Sequence, residues 1–198
     1  MPNLKLSSIL LLFTFASIKS NAQKNVHWGV FGGVNFASIS GSAPFTFQKD
    51  SKSNTTYHFG ISSEIYLKNN FYLQPELYHS VAGFKSKTGD QFRFYYFNLP
   101  ILLKYKISHT GLGVFAGPQY GLLTSAIDRI EPMGTSVDIK ENYRKNDFSG
   151  LFGVEYYTKF GLGISAQYQL GFTNIYKTAY SSDAARNRVF TISIGYRF

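Results

Sequence analysis

In the ten residues from Val189 to Phe198 the last nine alternate without exception, with Phe190, Ile192, Ile194, Tyr196 and Phe198 on one face and Thr191, Ser193, Gly195 and Arg197 on the other. A strict period of two describes a β-strand whose faces meet different surroundings. Every residue of the apolar face is large, with aromatics at its last position and two before it. Such a face suits a surface in lipid better than the thin core of a soluble sheet.

The alternation recurs at about 26–39, 57–67, 71–82, 93–107, 112–123, 147–158 and 160–172, which with 189–198 makes eight segments. It is clear in the sixth, where Phe152, Val154 and Tyr156 oppose Gly153, Glu155 and Tyr157. Beyond residue 22 no stretch approaches the roughly 20 apolar residues that a membrane helix needs. The connections alternate in length. Long or moderate ones at 40–56, 83–92, Thr124 to Asn146 and Thr173 to Arg188 interleave with short ones at Lys68 to Asn70, Ser108 to Gly111 and around Lys159. An even-stranded barrel with both termini in the periplasm produces this parity, and a soluble sandwich has no reason to. The fold class read from these patterns is all-β: a single eight-stranded antiparallel up-and-down transmembrane barrel.

Charge assigns the faces. Glu64, Glu76, Lys104, Glu155 and Arg197 fall opposite the large apolar residues, together with Tyr66, Gln74, Asn98, Gln167 and Gln169. They are expected to point inward, because a barrel of this size is filled by side chains. A buried charge left alone is costly, so Glu64, Glu76 and Glu155 are expected to share an internal ion-pair network with Lys104 and Arg197. Glycines inside strands, such as Gly60, Gly117 and Gly153, give bends and room for large inward neighbours. Aromatics form 18% of the chain, and Trp28, Phe71, Tyr72, Tyr95, Tyr105, Phe148, Tyr157, Phe160 and Phe198 near strand ends are expected to form the two interfacial girdles.

Lys5 precedes an apolar stretch from Leu6 to Ile18 that is too short to span a bilayer, and Ser20, Asn21 and Ala22 follow as a small-residue cleavage site. Residues 1–22 therefore read as a cleavable Sec signal peptide and 23–198 as the barrel domain. The chain has no cysteine, which excludes a lipoprotein anchor, disulfides and thiolate metal sites. Removing the signal, which carries Lys5 and Lys19 and no acid, takes the net charge from +9 to +7. These cations are scattered, which argues against a nucleic-acid partner and for attraction to anionic lipopolysaccharide.

Two stretches imitate a dinucleotide fingerprint, Gly111-Leu112-Gly113 and Gly161-Leu162-Gly163, but both run on as strands where the fingerprint needs a helix. They read as equivalent strands leaving short turns. No Gly-x-Ser-x-Gly elbow, His-Glu-x-x-His or phosphate loop occurs, and His27, His58, His79 and His109 are dispersed. No cofactor is expected. The loop from Thr124 to Asn146 balances Asp128, Glu131, Asp138 and Glu141 against Arg129, Lys140, Arg144 and Lys145, a mixed surface that suits protein or glycan contact better than phosphate capture, the plain alternative being a variable surface loop. Lys177, Arg186 and Arg188 in the last loop suit lipopolysaccharide.

Pro75, Pro100 and Pro118 interrupt the third, fourth and fifth segments, and bulges or excursions beyond the hydrocarbon are the expected relief. The segments that hold them, Leu73-Gln74-Pro75-Glu76-Leu77, Asn98-Leu99-Pro100-Ile101-Leu102-Leu103-Lys104-Tyr105 and Gly117-Pro118-Gln119-Tyr120-Gly121-Leu122-Leu123, resemble recurrent segments of the PorT-like outer-membrane β-barrel proteins of Bacteroidetes. Gly171-Phe172-Thr173-Asn174-Ile175 resembles that family's exit from the seventh strand, whereas Gln167 stands where the family has Arg. The resemblance implies a Gram-negative outer-membrane barrel with no agreed activity for most relatives; the founding member is associated with a secretion pathway for cell-surface proteins. The last strand also resembles the closing strand of outer-membrane barrels, in which the terminal aromatics, here Tyr196 and Phe198, are read by the insertion machinery.

The leading expectation is a small, non-enzymatic outer-membrane barrel with a surface, structural or accessory role. A barrel enzyme of the acyltransferase or protease kind is the first alternative, with His58, Asp128, Asp147 and serines near the outer rim. A soluble periplasmic lipocalin-like barrel is the second, and it would reverse the polarity, with the apolar residues lining the lumen.

Overall fold

The computed structural model describes residues 26–41, 52–86, 90–130, 134–177 and 185–198; the signal peptide read at 1–22 lies outside them. Eight long antiparallel strands close on themselves: β1 (Val26–Ser40), β2 (Lys52–Lys68), β3 (Phe71–Lys85), β4 (Gln91–Lys106), β5 (Leu112–Ile130), β7 (Asn146–Tyr157), β8 (Leu162–Gly171) and β9 (Arg186–Arg197). Each pairs with its neighbours in sequence. The ring shuts where β1 pairs β9, Gly29 opposite Arg197 through Ser40 opposite Arg186. A ninth, short strand, β6 (Thr135–Asp138), folds back on the far end of β5 outside the ring.

Alternation places the large apolar residues outward. Val30, Phe59, Leu99, Leu103, Val154 and Ile164 are exposed, and Ile194 is 63% exposed while Lys104, deep inside, is 0%. The lipocalin-like alternative is thereby overturned: the exposed wall is hydrocarbon and the ionisable groups are enclosed. Trp28, Phe71, Tyr105, Phe148, Phe160 and Phe198 stand on the exposed wall near strand ends. Tyr72 and Tyr157 do not join them. Both turn into the lumen, where the Lys106 ammonium lies 4.2 Å from the Tyr72 ring centre and the Arg197 guanidinium 3.7 Å from that of Tyr157. Tyr66, expected inside, is 42% exposed at the barrel end and packs edge-on against Tyr72.

The short turns are built by backbone chemistry. Asn69 and Asn70 hold φ of 50° and 66°, the left-handed pair of a two-residue hairpin that Asn tolerates. Gly111 and Gly161, at φ of 77° and 93°, close the next two turns and hand the chain to β5 and β8. The two Gly-Leu-Gly stretches are thus the same architectural step taken twice.

The prolines are accommodated differently from expectation. Pro75 faces Ile101, Pro100 faces Gln119 and Pro118 faces Gly150, all in register. Pairing lapses between Pro75 and Tyr78 on β3 and between Pro100 and Leu103 on β4, but the register resumes unchanged, so no bulge is used. Register shifts occur elsewhere, at Ser53/His58, Tyr66/Lys68 and Tyr95/Tyr96. A Cβ on Gly117 would run into the Ile101 carbonyl, so β5 closes tightly on β4 where the ladder is missing.

Candidate functional site

The lumen is the natural place to look for function, and it is stacked in layers. At the periplasmic end β2, β4, β7 and β9 each send one or two charged side chains to the same point. Lys104 Nζ lies 3.1 Å from Glu64 Oε2 and 2.7 Å from Glu155, and also donates to Gln74 Oε1. Arg197 bridges the same two carboxylates at 3.1 and 3.2 Å. Glu76 sits one step away and touches no cation directly; Gln74 Nε2 donates to it at 2.6 Å and passes its own oxygen to Lys104. Sequence reasoning missed Lys106, which pairs with Glu64 Oε1 at 2.5 Å. Its signal was present, since it occupies the next inward position after Lys104 on one strand.

Three carboxylates and three cations therefore share one enclosed volume. Every charge but that of Glu76 has an opposite partner within 3.2 Å. Lys106 and Arg197 are the rim members, their side chains 31% and 12% exposed. Arg197→Gln is expected to cost about 1–3 kcal/mol of unfolding free energy in detergent, the usual range for a lost partner of a buried acceptor. An unchanged unfolding temperature would count against it.

Above the charges lie neutral rungs. Tyr78 donates to Gln119 at 2.5 Å, Gln119 donates to Asn98 at 3.3 Å and Ser149 at 3.2 Å, and Asn98 donates to Ser80 at 2.9 Å. His58 belongs to this level and not to the outer rim, because β2 continues six residues beyond it to Lys52. Its Nε2 lies 2.9 Å from Ser193 Oγ, while Nδ1 has no partner among the described residues. Asp147 accepts from Asn187 at 2.9 Å instead. The rim constellation of His58 with Asp147 and Asp128 is therefore not assembled. The cavity below Ser193, bounded by Glu76, Tyr157 and Ser165, holds about 20 Å³, room for a water and not for a substrate.

The extracellular half of the lumen is closed by apolar side chains. Phe84, Phe92, Phe94, Tyr96, Leu123 and Val189 point inward there and pack with Tyr143 and Ile175 from the loops. Phe84 and Phe92 stack at 4.6 Å, and Tyr143 meets Phe94 edge-on at 4.7 Å. Burial raises the Tyr143 phenol well above its ordinary range, so it stays neutral. The segment Thr124 to Asn146, expected to be a loop, is largely structured: β5 runs on to Ile130, β6 returns along it, and a single 3-10 turn at Lys140–Asn142 delivers Tyr143 into the lumen mouth. Tyr143 bridges Tyr176 of the last loop. No group of three metal-ligating side chains occurs among the described residues.

The sequence model of a family described as outer membrane protein beta-barrel domain matches residues 15–177. Among solved structures, Neisserial surface protein A is similar at 12% identity and a TM-score of 0.56, over 86% of this chain and 97% of that one. Ail of Yersinia pestis, solved in complex with the heparin analogue sucrose octasulfate, is similar at 14% identity and a TM-score of 0.49, over 88% and 99%. Outer membrane protein W of E. coli is similar at 16% identity and a TM-score of 0.43, over 88% and 98%. No curated protein matches the chain.

Proposed function

We propose that this chain, which belongs to the outer membrane protein beta-barrel domain family and resides in the outer membrane of a Gram-negative bacterium, works from its outer surface as a non-enzymatic, non-conducting envelope protein with a structural or accessory role. The observation that carries this reading is the filled lumen, salt-bridged at one end and closed by Phe84, Phe92, Phe94 and Tyr143 at the other. Such a filling supports a wall without an open channel. The segments around Pro75, Pro100 and Pro118 support a PorT-like assignment, since they stand on three adjacent strands of the wall.

The surface supplies the contacts. The four residues of β6 are all exposed, Val137 at 44%, and its second edge, unpaired among the described residues, offers backbone groups to a protein partner. Tyr196 and Phe198 are exposed and stacked at 6.5 Å on the wall, where the barrel-insertion machinery would meet them during assembly.

The competing enzyme reading has one specific observation in its favour, the His58–Ser193 contact. Its test is direct. The purified barrel in lipopolysaccharide-containing vesicles is expected to leave lipid A chemically unchanged and to give no conductance in planar bilayers. His58→Ala and Ser193→Ala should alter neither result. Lipid A modification that is lost in both variants would establish the enzyme.

A further inference from the structure

A groove of about 730 Å³ opens on the extracellular rim between the start of β7 and the end of β8. Its upper part carries Arg144, Lys145 and Lys177, all exposed. Its lower part is the pair Phe148 and Phe172, 56% and 63% exposed on the outer wall. From the cations and this wall we infer that the groove binds a phosphorylated glycolipid of the outer leaflet, with the lipid A phosphate on Arg144 and Lys145 and its acyl chains against Phe148 and Phe172. The inference rests on the membrane placement alone and goes beyond the accessory role.

Backbone bonds hold the site together before any ligand arrives. Arg144 N donates to Ile175 O at 2.8 Å and Lys177 N to Asn142 O at 3.1 Å, so two loops carry the cations at fixed spacing. Arg144 Nε donates to Tyr176 O at 3.0 Å, while the residue stays exposed. Phe172 N donates to Phe148 O at 2.8 Å, and Phe148 N donates to Thr173 Oγ1 at 2.8 Å, which keeps the two residues adjacent on the exposed wall. Phe148 also packs on Tyr120 at 5.3 Å.

The charges are available. Lys177 makes a long, exposed pair with Glu141 at 3.4 Å, and among the described residues no carboxylate pairs with Arg144 or Lys145. Guanidinium beside ammonium is a phosphate-binding combination. Position selects the source of the phosphate. Arg144, Lys145 and Asn146 precede Phe148, the outermost lipid-facing aromatic of β7, with only Asp147 between, which is buried and accepts from Asn187, so the cations stand at headgroup height above an aromatic wall. A soluble polyanion would use the cations and ignore the rings. A membrane glycolipid uses both.

The test takes the full barrel in detergent and measures its affinity for lipid A bearing phosphates, for the same lipid A dephosphorylated, and for sucrose octasulfate as a soluble polyanion. Arg144→Gln with Lys145→Gln is expected to weaken binding of phosphorylated lipid A roughly tenfold or more. Arg144→Lys with Lys145→Arg should retain most of it, and Phe148→Ala with Phe172→Ala should weaken it separately. Dephosphorylated lipid A should bind wild type as weakly as the phosphorylated form binds the glutamine variant. A heat-shifted gel band for each variant confirms a folded barrel. Equal affinity for both lipids, or an unaffected glutamine variant, would overturn the site. Tight sucrose octasulfate binding that is indifferent to Phe148 and Phe172 would assign the groove to soluble polyanions instead.

Discussion

Lys104→Met is expected to lower the free energy of unfolding in detergent by about 3–5 kcal/mol, the scale seen when one partner of a buried ion pair is removed. Methionine replaces the aliphatic stem and lacks only the terminal ammonium, so packing against the wall changes little and the loss is chiefly electrostatic. Lys104 is fully buried and its ammonium serves Glu64, Glu155 and Gln74 at once. Without it, three carboxylates face only Lys106 and Arg197, and Glu155 retains Arg197 alone. Removing a carboxylate as well should restore part of the balance. Lys104→Met with Glu155→Gln is therefore expected to be less destabilised than the sum of the two single variants, by about 1–3 kcal/mol of coupling. Trp28 is the chain's only tryptophan and stands exposed on the outer wall, so its emission in a urea titration reports transfer from detergent to water directly. A cost below about 1 kcal/mol for the single variant would mean that the charged centre is incidental to stability.

What the sequence conveyed depended on how much each residue's surroundings are a matter of parity. In β7 and β9 one face is lipid and the other lumen along the whole membrane span, so alternation alone places Glu155, Arg197 and the outward Phe152 and Ile194. The loop lengths carried the topology for the same reason, since water on one side of the membrane tolerates long connections and the turns on the other are short. The mouth of the barrel was not legible in this way. On β4 the apolar residues Leu103, Ile101, Leu99 and Phe97 face outward, and then the phase changes: Tyr96, Phe94 and Phe92 face inward. No bulge in β4's pairing with β3 causes the switch, because Phe94 and Phe97 keep the same register with that strand. The environment changes instead. Above the bilayer the outer face meets water and the interior becomes an ordinary apolar core, so the same alternation is read with opposite sign. A shift of apolar parity inside one strand therefore marks the membrane boundary. The extension of β5 beyond Leu123 and the docking of Tyr143 follow from that inverted zone, and a reading that assumed one polarity throughout ends the strand too early.

The inverted zone makes a second large effect testable. Phe94 is 1% exposed, meets Tyr143 edge-on at 4.7 Å and lies 6.4 Å from the Phe84 ring. Phe94→Ala is expected to cost about 3–5 kcal/mol, the usual range for emptying a buried aromatic site. The loss should fall on the mouth of the barrel first. Tyr143 loses its ring partner, and the backbone bridge from Tyr143 to Tyr176 then has little to anchor it. The charged centre around Lys104 lies at the other end of the lumen, shares no partner with Phe94 and keeps its pairs. Trypsin provides the measurement, because Arg144 and Lys145 directly follow the docked tyrosine and cleavage requires that the segment open. In Phe94→Ala, cleavage after these residues should accelerate under conditions where the boiled and unboiled forms still migrate apart, which shows the membrane wall intact. Simultaneous loss of both signals would mean that mouth and wall melt as one unit. Separate loss would make the apolar mouth an independently opening element laid on a rigid membrane ring.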